Sequence, residues 1–216
     1  KRLGAEKGPT RRGLMVVDPR AAGRLLGSLL SPANARSVQQ GRSMYADRVG
    51  EKLFSEVLTL TDDPLIPRGL ASRYYDNEGI AAKALPIVAA GVLEHLYVDT
   101  YYGRKLELAP TTGSRSNQVV ALGDKDLAAL LSEAGDCVYV TSWLGGNSDG
   151  TTGDFSLGLR GHLVEGGKVG APIGEMNVTG NLLELFGKLV AVGNDPYQWS
   201  SLRAPTLVFE DVQFSG

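Results

Sequence analysis

Apolar residues near the start of the chain recur with the spacing of an amphipathic helix. They fall three or four positions apart from Ala22 to Leu30, so that they form one apolar stripe. Asp18 can cap the first turn, and Pro19 suits the first helical position because its missing N–H is not needed there. Pro32 ends the pattern. We therefore predict a helix that begins after Asp18, whereas the polar stretch 36–52 is either a second helix or an exposed loop.

Residues 57–122 have a different character, with short β-type runs separated by turn residues. Residues 85–88 and 92–98 flank Ala89-Ala90-Gly91, which predicts a hairpin with a glycine-containing turn. The acidic pair Asp62-Asp63 precedes Pro64, and we interpret it as a turn and not as a metal site. Residues 110–117 are predicted to form a loop.

The next segment predicts a short helix, a buried strand and a flexible loop. Asp124 is the predicted cap of the helix, and Gly135 its left-handed end. An apolar run over residues 137–140 follows directly and predicts the strand. Residues 144–153 contain four glycines together with Asn, Ser and Asp residues, which indicates tight turns and the most flexible loop of the chain.

The last third predicts a second hairpin, a helix and a terminal strand. Apolar and polar residues alternate from Phe155, and Glu165-Gly166-Gly167-Lys168 forms the turn. Asn181 or Thr179 can cap a helix that continues to Val190 and ends at Gly193. Residues 206–214 predict the terminal strand. Because strands and helices do not alternate regularly, the predicted class is α+β, with mostly antiparallel sheet, barrel-like or twisted, and a few flanking helices.

Composition narrows the functional classes. The 216 residues include 22 Lys and Arg against 24 Asp and Glu, and the resulting net charge of -2 does not favour nucleic-acid binding. The basic residues of the first stretch stand among Gly and Pro, so residues 1–13 are interpreted as a linker or the remnant of an upstream domain, and 14–216 as one domain. A single cysteine and the absence of a long apolar stretch predict a soluble, cytoplasmic protein without disulfides or membrane contact.

Few residues could bind a metal or act as a nucleophile. The soft or imidazole ligands are His95, His162 and Cys137, which lie on separate predicted strands, whereas catalytic zinc takes three protein ligands and an open position. The interpretation we favour is that the histidines are sheet residues and that Cys137 is a small buried hydrophobe. No Gly-x-Ser-x-Gly elbow is present, and neither Gly145-Gly146 nor Gly166-Gly167 belongs to a nucleotide-binding pattern. We therefore assign no catalytic, metal or cofactor-binding residue.

Several short motifs, taken in order, resemble the C-terminal domain of the TldD/PmbA family, also called modulators of DNA gyrase. Each motif is weak alone, but together they cover nearly the whole chain from Leu14 onward. The motifs are Val49-Gly50-Glu51-Lys52-Leu53, Asp76-Asn77-Glu78-Gly79, Gly91-Val92-Leu93 with Arg104-Lys105-Leu106, Thr151-Thr152-Gly153-Asp154-Phe155-Ser156-Leu157-Gly158, Gly180-Asn181-Leu182, Val192-Gly193-Asn194-Asp195 and residues 205–216.

The resemblance is closer to the PmbA (TldE) branch than to the TldD branch. TldD-type subunits resemble zinc peptidases in which a His-Glu-x-x-x-His helix supplies two ligands and the general base, and a later cysteine supplies a further ligand. In the corresponding place this chain has Leu25-Leu26-Gly27-Ser28-Leu29-Leu30-Ser31-Pro32, and residues 195–205 contain no cysteine. None of these side chains can bind zinc or take a proton near neutral pH.

The resemblance implies a zinc-free, non-catalytic subunit of a cytoplasmic metalloprotease that degrades or matures unfolded peptides, such as peptide-antibiotic precursors and antitoxins. Zinc is then expected in a TldD-like partner, with which the chain forms a heterodimer; a homodimer is the other possible assembly. The alternative from another class is a homo-oligomeric module that binds peptides or proteins and closes the glycine-rich segment 144–153 over its ligand. Copurification of a chain with the His-Glu-x-x-x-His motif separates the two.

Overall fold

A computed structural model of the chain describes residues 4–216, in which there are five helices and twelve strands. The helices are α1 (Pro19–Leu30), α2 (Ala35–Gln39), α3 (Thr100–Leu106), α4 (Leu127–Ala134) and α5 (Leu182–Gly187). The strands are β1 (Glu6–Lys7), β2 (Arg11–Val17), β3 (Leu60–Asp63), β4 (Leu85–Ala89), β5 (Val92–Leu93), β6 (Asn117–Val120), β7 (Cys137–Ser148), β8 (Asp154–Glu165), β9 (Lys168–Asn181), β10 (Leu189–Val192), β11 (Leu202–Arg203) and β12 (Leu207–Ser215).

The larger sheet closes on itself as a small barrel. Its strand order is β1-β9-β8-β7-β2-β12-β10, and a further pairing of β12 with β9 joins the two sides. The five strands β9, β8, β7, β2 and β12 therefore form a ring, with β1 and β10 as attachments. Pairing is antiparallel except between β2 and β7 and between β1 and β9. Closure removes most of the exposed sheet edge.

The alternation of residues along the strands fills the barrel. On β8, Phe155, Leu157 and Leu159 are buried and alternate with exposed or half-buried neighbours. Successive side chains of a strand point to opposite faces, so the apolar set points inward. The long hairpin of β8 and β9 turns at Gly166 and Gly167, as predicted, and both residues have positive φ.

A second sheet has the order β11-β6-β3-β4-β5. It contains the predicted hairpin of β4 and β5, whose turn places Ala90 and Gly91 at positive φ. Residues of both sheets and of α1 belong to one continuous apolar cluster, whereas α4 packs over the outer face of the barrel, where Leu130 and Leu131 contact a separate small cluster. The α+β class with mostly antiparallel sheet is confirmed.

Three local predictions are wrong. Asp62 and Asp63 are not a turn but the end of strand β3, and the turn follows them. The cap of α4 is Asp126 and not Asp124, because the Asp126 side chain accepts from the Ala129 N–H at 2.9 Å. The helix capped by Asn181 ends at Gly187, and the apolar residues after it form β10.

Two predicted irregular segments contain strand structure. The glycine-rich segment 144–153 was expected to be a loop, but β7 continues to Ser148 in pairing with β8, so that only residues 149–153 form the turn. Within the predicted linker 1–13, residues 1–3 lie outside the described part of the chain. Strand β1 and the start of β2 occupy part of the remainder. The domain boundary at residue 14 stays a prediction.

No helix between residues 4 and 216 combines the length and the apolar character needed to cross a membrane.

Candidate functional site at the first helix

Helix α1 begins as its sequence predicts. The Asp18 carboxylate accepts from the Arg20 N–H at 2.9 Å, and Pro19 occupies the first turn. Asp18 is also tied to the barrel, because its N–H donates to the Val140 carbonyl at 2.9 Å. The cap therefore fixes where the helix starts relative to strand β7.

The face of α1 that the family resemblance singles out is part of the hydrophobic core. Leu25 and Leu26 are 0% exposed, Leu29 is 1% and Leu30 is 2% exposed. All four belong to the main apolar cluster that joins the barrel to the second sheet. Aliphatic groups have no lone pair to offer a cation, and a packed core leaves no open position for a metal-bound water. This side of the helix stabilises the fold.

The opposite side of α1 lies against the outer part of strand β7. Strand β2 pairs with β7 only as far as Val140, so the rest of β7 lacks a backbone partner on that side. There the Trp143 indole N–H donates to the Ala21 carbonyl at 2.9 Å, and Arg24 Nη2 donates to the Gly146 carbonyl at 2.7 Å. Arg24 thus occupies one backbone carbonyl of β7, and Trp143 links the strand to the helix beside an edge that could otherwise add a strand.

A groove of about 600 Å³ opens at the N terminus of α1. One side of the groove is lined by Asp18, Pro19 and Arg20, and a second side by Leu127 at the start of α4. The third side is formed by residues 195–199. Trp199 is 81% exposed at its rim. The groove therefore lies between the N terminus of α1 and the segment after Asp195, whereas Leu25 to Pro32 do not line it.

The two carboxylates of the groove already have hydrogen-bond donors. Asp18 Oδ2 accepts from the Tyr139 hydroxyl at 2.7 Å, and burial, followed by the contact with Asp18, raises the pKa of Tyr139. Asp195 accepts from the Thr206 N–H at 3.0 Å and from the Thr206 hydroxyl at 2.7 Å. Asp18 thus caps α1, and Asp195 holds the segment around Thr206 by two hydrogen bonds.

The three residues considered as metal ligands do not form a site. Cys137 is 0% exposed on β7, and burial raises the pKa of its thiol to about 11. His162 lies on β8, with Nδ1 3.1 Å from the Gly170 carbonyl oxygen, and His95 follows β5 in the second sheet, with Nδ1 2.8 Å from the Pro86 carbonyl oxygen. Among residues 4–216, no three His, Cys, Asp or Glu side chains are grouped so as to hold a metal ion.

Asp62, first interpreted as part of a turn, is a buried structural carboxylate. It is 1% exposed and accepts from the Ser116 N–H at 2.7 Å, from the Ser116 hydroxyl and from the Tyr97 hydroxyl at 2.9 Å. A buried carboxylate needs such donors because desolvation otherwise disfavours its charge. No local pattern indicates this network, since its members are distant along the chain.

Sequence reasoning also missed the residues that surround α1, namely Tyr139, Trp143, Arg24 and Trp199. Tyr139 was recognised only as part of a buried strand, and Trp143 borders the segment interpreted as a flexible loop. An Arg on the polar face of a helix gives no indication of its partner. No local pattern links Trp199 to the helix, and its side chain is largely exposed.

Fold and site together define a class of α+β protein: a small closed barrel and a second sheet share one core, to which the leucine face of a capped helix contributes. The family model for the PmbA/TldA metallopeptidase C-terminal domain matches residues 10–216. The chain belongs to this family, as the motifs predicted.

Known relatives and solved structures agree with this assignment. The metalloprotease PmbA homolog of Buchnera aphidicola subsp. Acyrthosiphon pisum is 28% identical over 217 residues, which cover 100% of this chain and 49% of the relative. Metalloprotease PmbA of Escherichia coli O157:H7 is also 28% identical, over 100% of this chain and 48% of its own length. The chain thus spans about half the length of these relatives.

One similar crystal structure is that of a protein from Bacteroides thetaiotaomicron described as a modulator of DNA gyrase. It has a TM-score of 0.97 and 44% sequence identity, and the match covers 100% of this chain and 49% of that protein's chain. TldE from Thermococcus kodakarensis has a TM-score of 0.90 at 22% identity, covering 99% of this chain and 52% of its own, and this likeness concerns the fold.

Proposed function

We propose that this chain is the C-terminal half of a zinc-free, non-catalytic subunit, and that the subunit joins a zinc-bearing TldD-like partner in a peptide-cleaving metalloprotease. Its family is that of PmbA and TldD metallopeptidases. The subunit completes the assembly and narrows the entrance to the partner's active site, so that only flexible, unfolded peptides reach the metal. The cytoplasm is its compartment, in keeping with a single buried, unpaired cysteine.

One observation carries the proposal: the leucine face of α1. In the place where the catalytic branch has a His-Glu-x-x-x-His helix, Leu25, Leu26, Leu29 and Leu30 are at most 2% exposed and pack into the main core. A catalytic zinc site needs three side-chain ligands and room for a water. Here the same helix face is committed to holding the barrel and the second sheet together.

Comparison of the two branches supports the same proposal. The PmbA relatives are similar over 100% of this chain, whereas the TldD homolog of Buchnera aphidicola subsp. Acyrthosiphon pisum is 25% identical over 73% of it. The relatives named PmbA are called metalloproteases, and our proposal assigns the metal of such a complex to the other subunit.

The test compares metal and activity in three preparations: the full-length protein alone, a family member with the His-Glu-x-x-x-His motif alone, and the two coexpressed. We expect copurification of the two chains, about one zinc per motif-bearing chain, and cleavage of an unstructured peptide by the complex that a chelator abolishes. Replacing both motif histidines of the partner with alanine is the matched control, and it should remove zinc without preventing assembly.

Three outcomes decide against the proposal. Stoichiometric zinc in the isolated full-length protein, or chelator-sensitive cleavage by it alone, would make this chain a catalytic subunit. If the protein binds peptide and associates only with itself, the homo-oligomeric binding module is the better description.

A further inference from the structure

The connection between β3 and β4, residues 64–84, is long and has little regular structure. Its backbone pairing of the β type is an isolated bridge between Tyr75 and Ala81. Connections longer than about 12–15 residues are uncommon in compact domains, and their polar backbone must find partners outside a sheet or helix. Tyr74 and Tyr75 on this connection are 84% and 67% exposed. Apolar burial is therefore not what holds this part of the connection in place.

Polar side chains anchor the connection to the neighbouring segment 110–116. Arg73 Nη1 donates to the Arg115 carbonyl at 2.8 Å, and Nη2 donates to the Ser114 carbonyl and, at 3.3 Å, to the Thr112 hydroxyl. Asp76 Oδ1 accepts two backbone N–H groups within its own turn, those of Glu78 at 2.9 Å and Ile80 at 3.0 Å. The guanidinium of Arg73 thus bridges two segments that the sheet does not join.

This anchor is incomplete among the protein groups of residues 4–216. Arg73 Nε is buried and has no hydrogen-bond partner in that part of the chain. Arg73 also lines a small cavity of about 10 Å³, partly open to solvent, whose lining includes Asp62, Asp76 and Thr112. A buried donor left without a partner loses its hydrogen bonds to water without replacement, so native proteins rarely keep one.

We propose that one water molecule occupies this cavity, accepts from Arg73 Nε–H and donates to the Asp76 carboxylate. The volume matches the roughly 10–15 Å³ that a single water requires in this measure, and the lining supplies polar partners. The Asp76 carboxylate also accepts from the Gly113 N–H and, at 3.4 Å, from the Thr112 hydroxyl, but its two oxygens together offer about four acceptor positions and so can take a further donor. The guanidinium disfavours a cation in the cavity, and the carboxylates of Asp62 and Asp76 disfavour an anion.

The water completes the link between residues 64–84 and 110–116. A network of the Arg73 guanidinium, the water and the Asp76 carboxylate then holds the turn that follows Tyr74 and Tyr75. Apolar packing does not hold this turn. Removal of the water should loosen this turn before it affects the barrel, which shares none of these groups.

A crystal structure of the full-length protein at about 1.5 Å resolution tests the site directly. We expect a single density peak about 2.8–3.0 Å from Arg73 Nε and within hydrogen-bond distance of an Asp76 carboxylate oxygen. Direct donation of Nε–H to a protein oxygen, an empty cavity, or a peak with metal-like distances of about 2.0–2.6 Å would overturn the proposal.

Proton exchange provides a second measurement that needs no variant. The Arg73 Nε–H should show cross-relaxation with a long-lived water and exchange slowly with solvent. The exposed Arg104 is the internal control, and its Nε–H should exchange fast. Equal, fast exchange at both arginines would contradict a water held at Arg73 Nε.

Discussion

Substitution of Leu26 by alanine tests whether the leucine face of α1 is core. Leu26 is 0% exposed and lies in the cluster that joins the two sheets, so the shorter side chain leaves a cavity that the rigid surroundings fill only in part. Leu-to-Ala changes at such positions cost about 2–5 kcal/mol. With a urea m-value of about 2 kcal/mol per molar, the unfolding midpoint should fall by roughly 1–2.5 M.

The neighbouring residue provides a control with the opposite sign. Gly27 lies in the same helix, and a Cβ added there would meet nothing within 4 Å. Gly27→Ala should therefore raise the free energy of unfolding by about 0.5–1 kcal/mol, because alanine loses less backbone entropy in a helix. Equilibrium urea unfolding, followed by circular dichroism, measures both. A Leu26→Ala midpoint equal to that of the native protein, or clear destabilisation by Gly27→Ala, would refute the assignment of the two faces.

Three further predictions concern the barrel and its surface. Gly146 has φ 95°, and an added Cβ would lie 1.9 Å from a carbonyl oxygen of β8. Gly146→Ala should therefore lower the free energy of unfolding, measured by thermal denaturation, by more than about 2 kcal/mol. Gly145 has open space around its Cβ position, so Gly145→Ala should change the same free energy by at most about 0.5 kcal/mol. The Arg12 guanidinium is the main cause that lowers the pKa of Asp211 to about 2. Arg12→Met should raise the pKa of Asp211 towards 3.8 in a carbon-detected NMR titration. Because the pKa of Asp211 is lower in the folded than in the unfolded protein, any stabilisation of the native fold by this carboxylate is present above the unfolded pKa and is lost as pH falls through about 2. The Cys137 thiol, with its pKa raised to about 11, should react with a disulfide reagent at pH 8 at least about 100-fold more slowly in the native protein than in urea.

Local chemistry made helix α1 predictable from the sequence. Asp18 caps it, Pro19 enters at the first turn and the apolar spacing orients its buried face, and these signals all lie within a few residues of one another. The hairpin turns at Gly91 and Gly166-Gly167 were predictable for the same reason, because positive φ is a local demand that glycine meets.

Non-local pairing explains what the sequence did not predict. The glycines at 145 and 146 suggested a loop, but their backbone is held in β7 by strand β8, a partner that no local pattern identifies. Asp62 precedes a proline by two residues, which suggests a turn, yet its oxygens accept from Ser116 and Tyr97, which are 54 and 35 residues away along the chain. The groove beside α1 likewise arises only when residues 195–199 fold back against the helix.

Strand β12 holds together three parts of the larger sheet, since it pairs with β10, β2 and β9. It is also the last of the strands between residues 4 and 216, so the ring cannot form during synthesis until Leu207–Ser215 have left the ribosome. Until then, β2 and β9 each present an unpaired edge, and the nascent chain must be shielded or must finish quickly. A stop codon shortly before Leu207 would therefore leave the edges of β2 and β9 without their β12 partner. The truncated protein should aggregate and not fold.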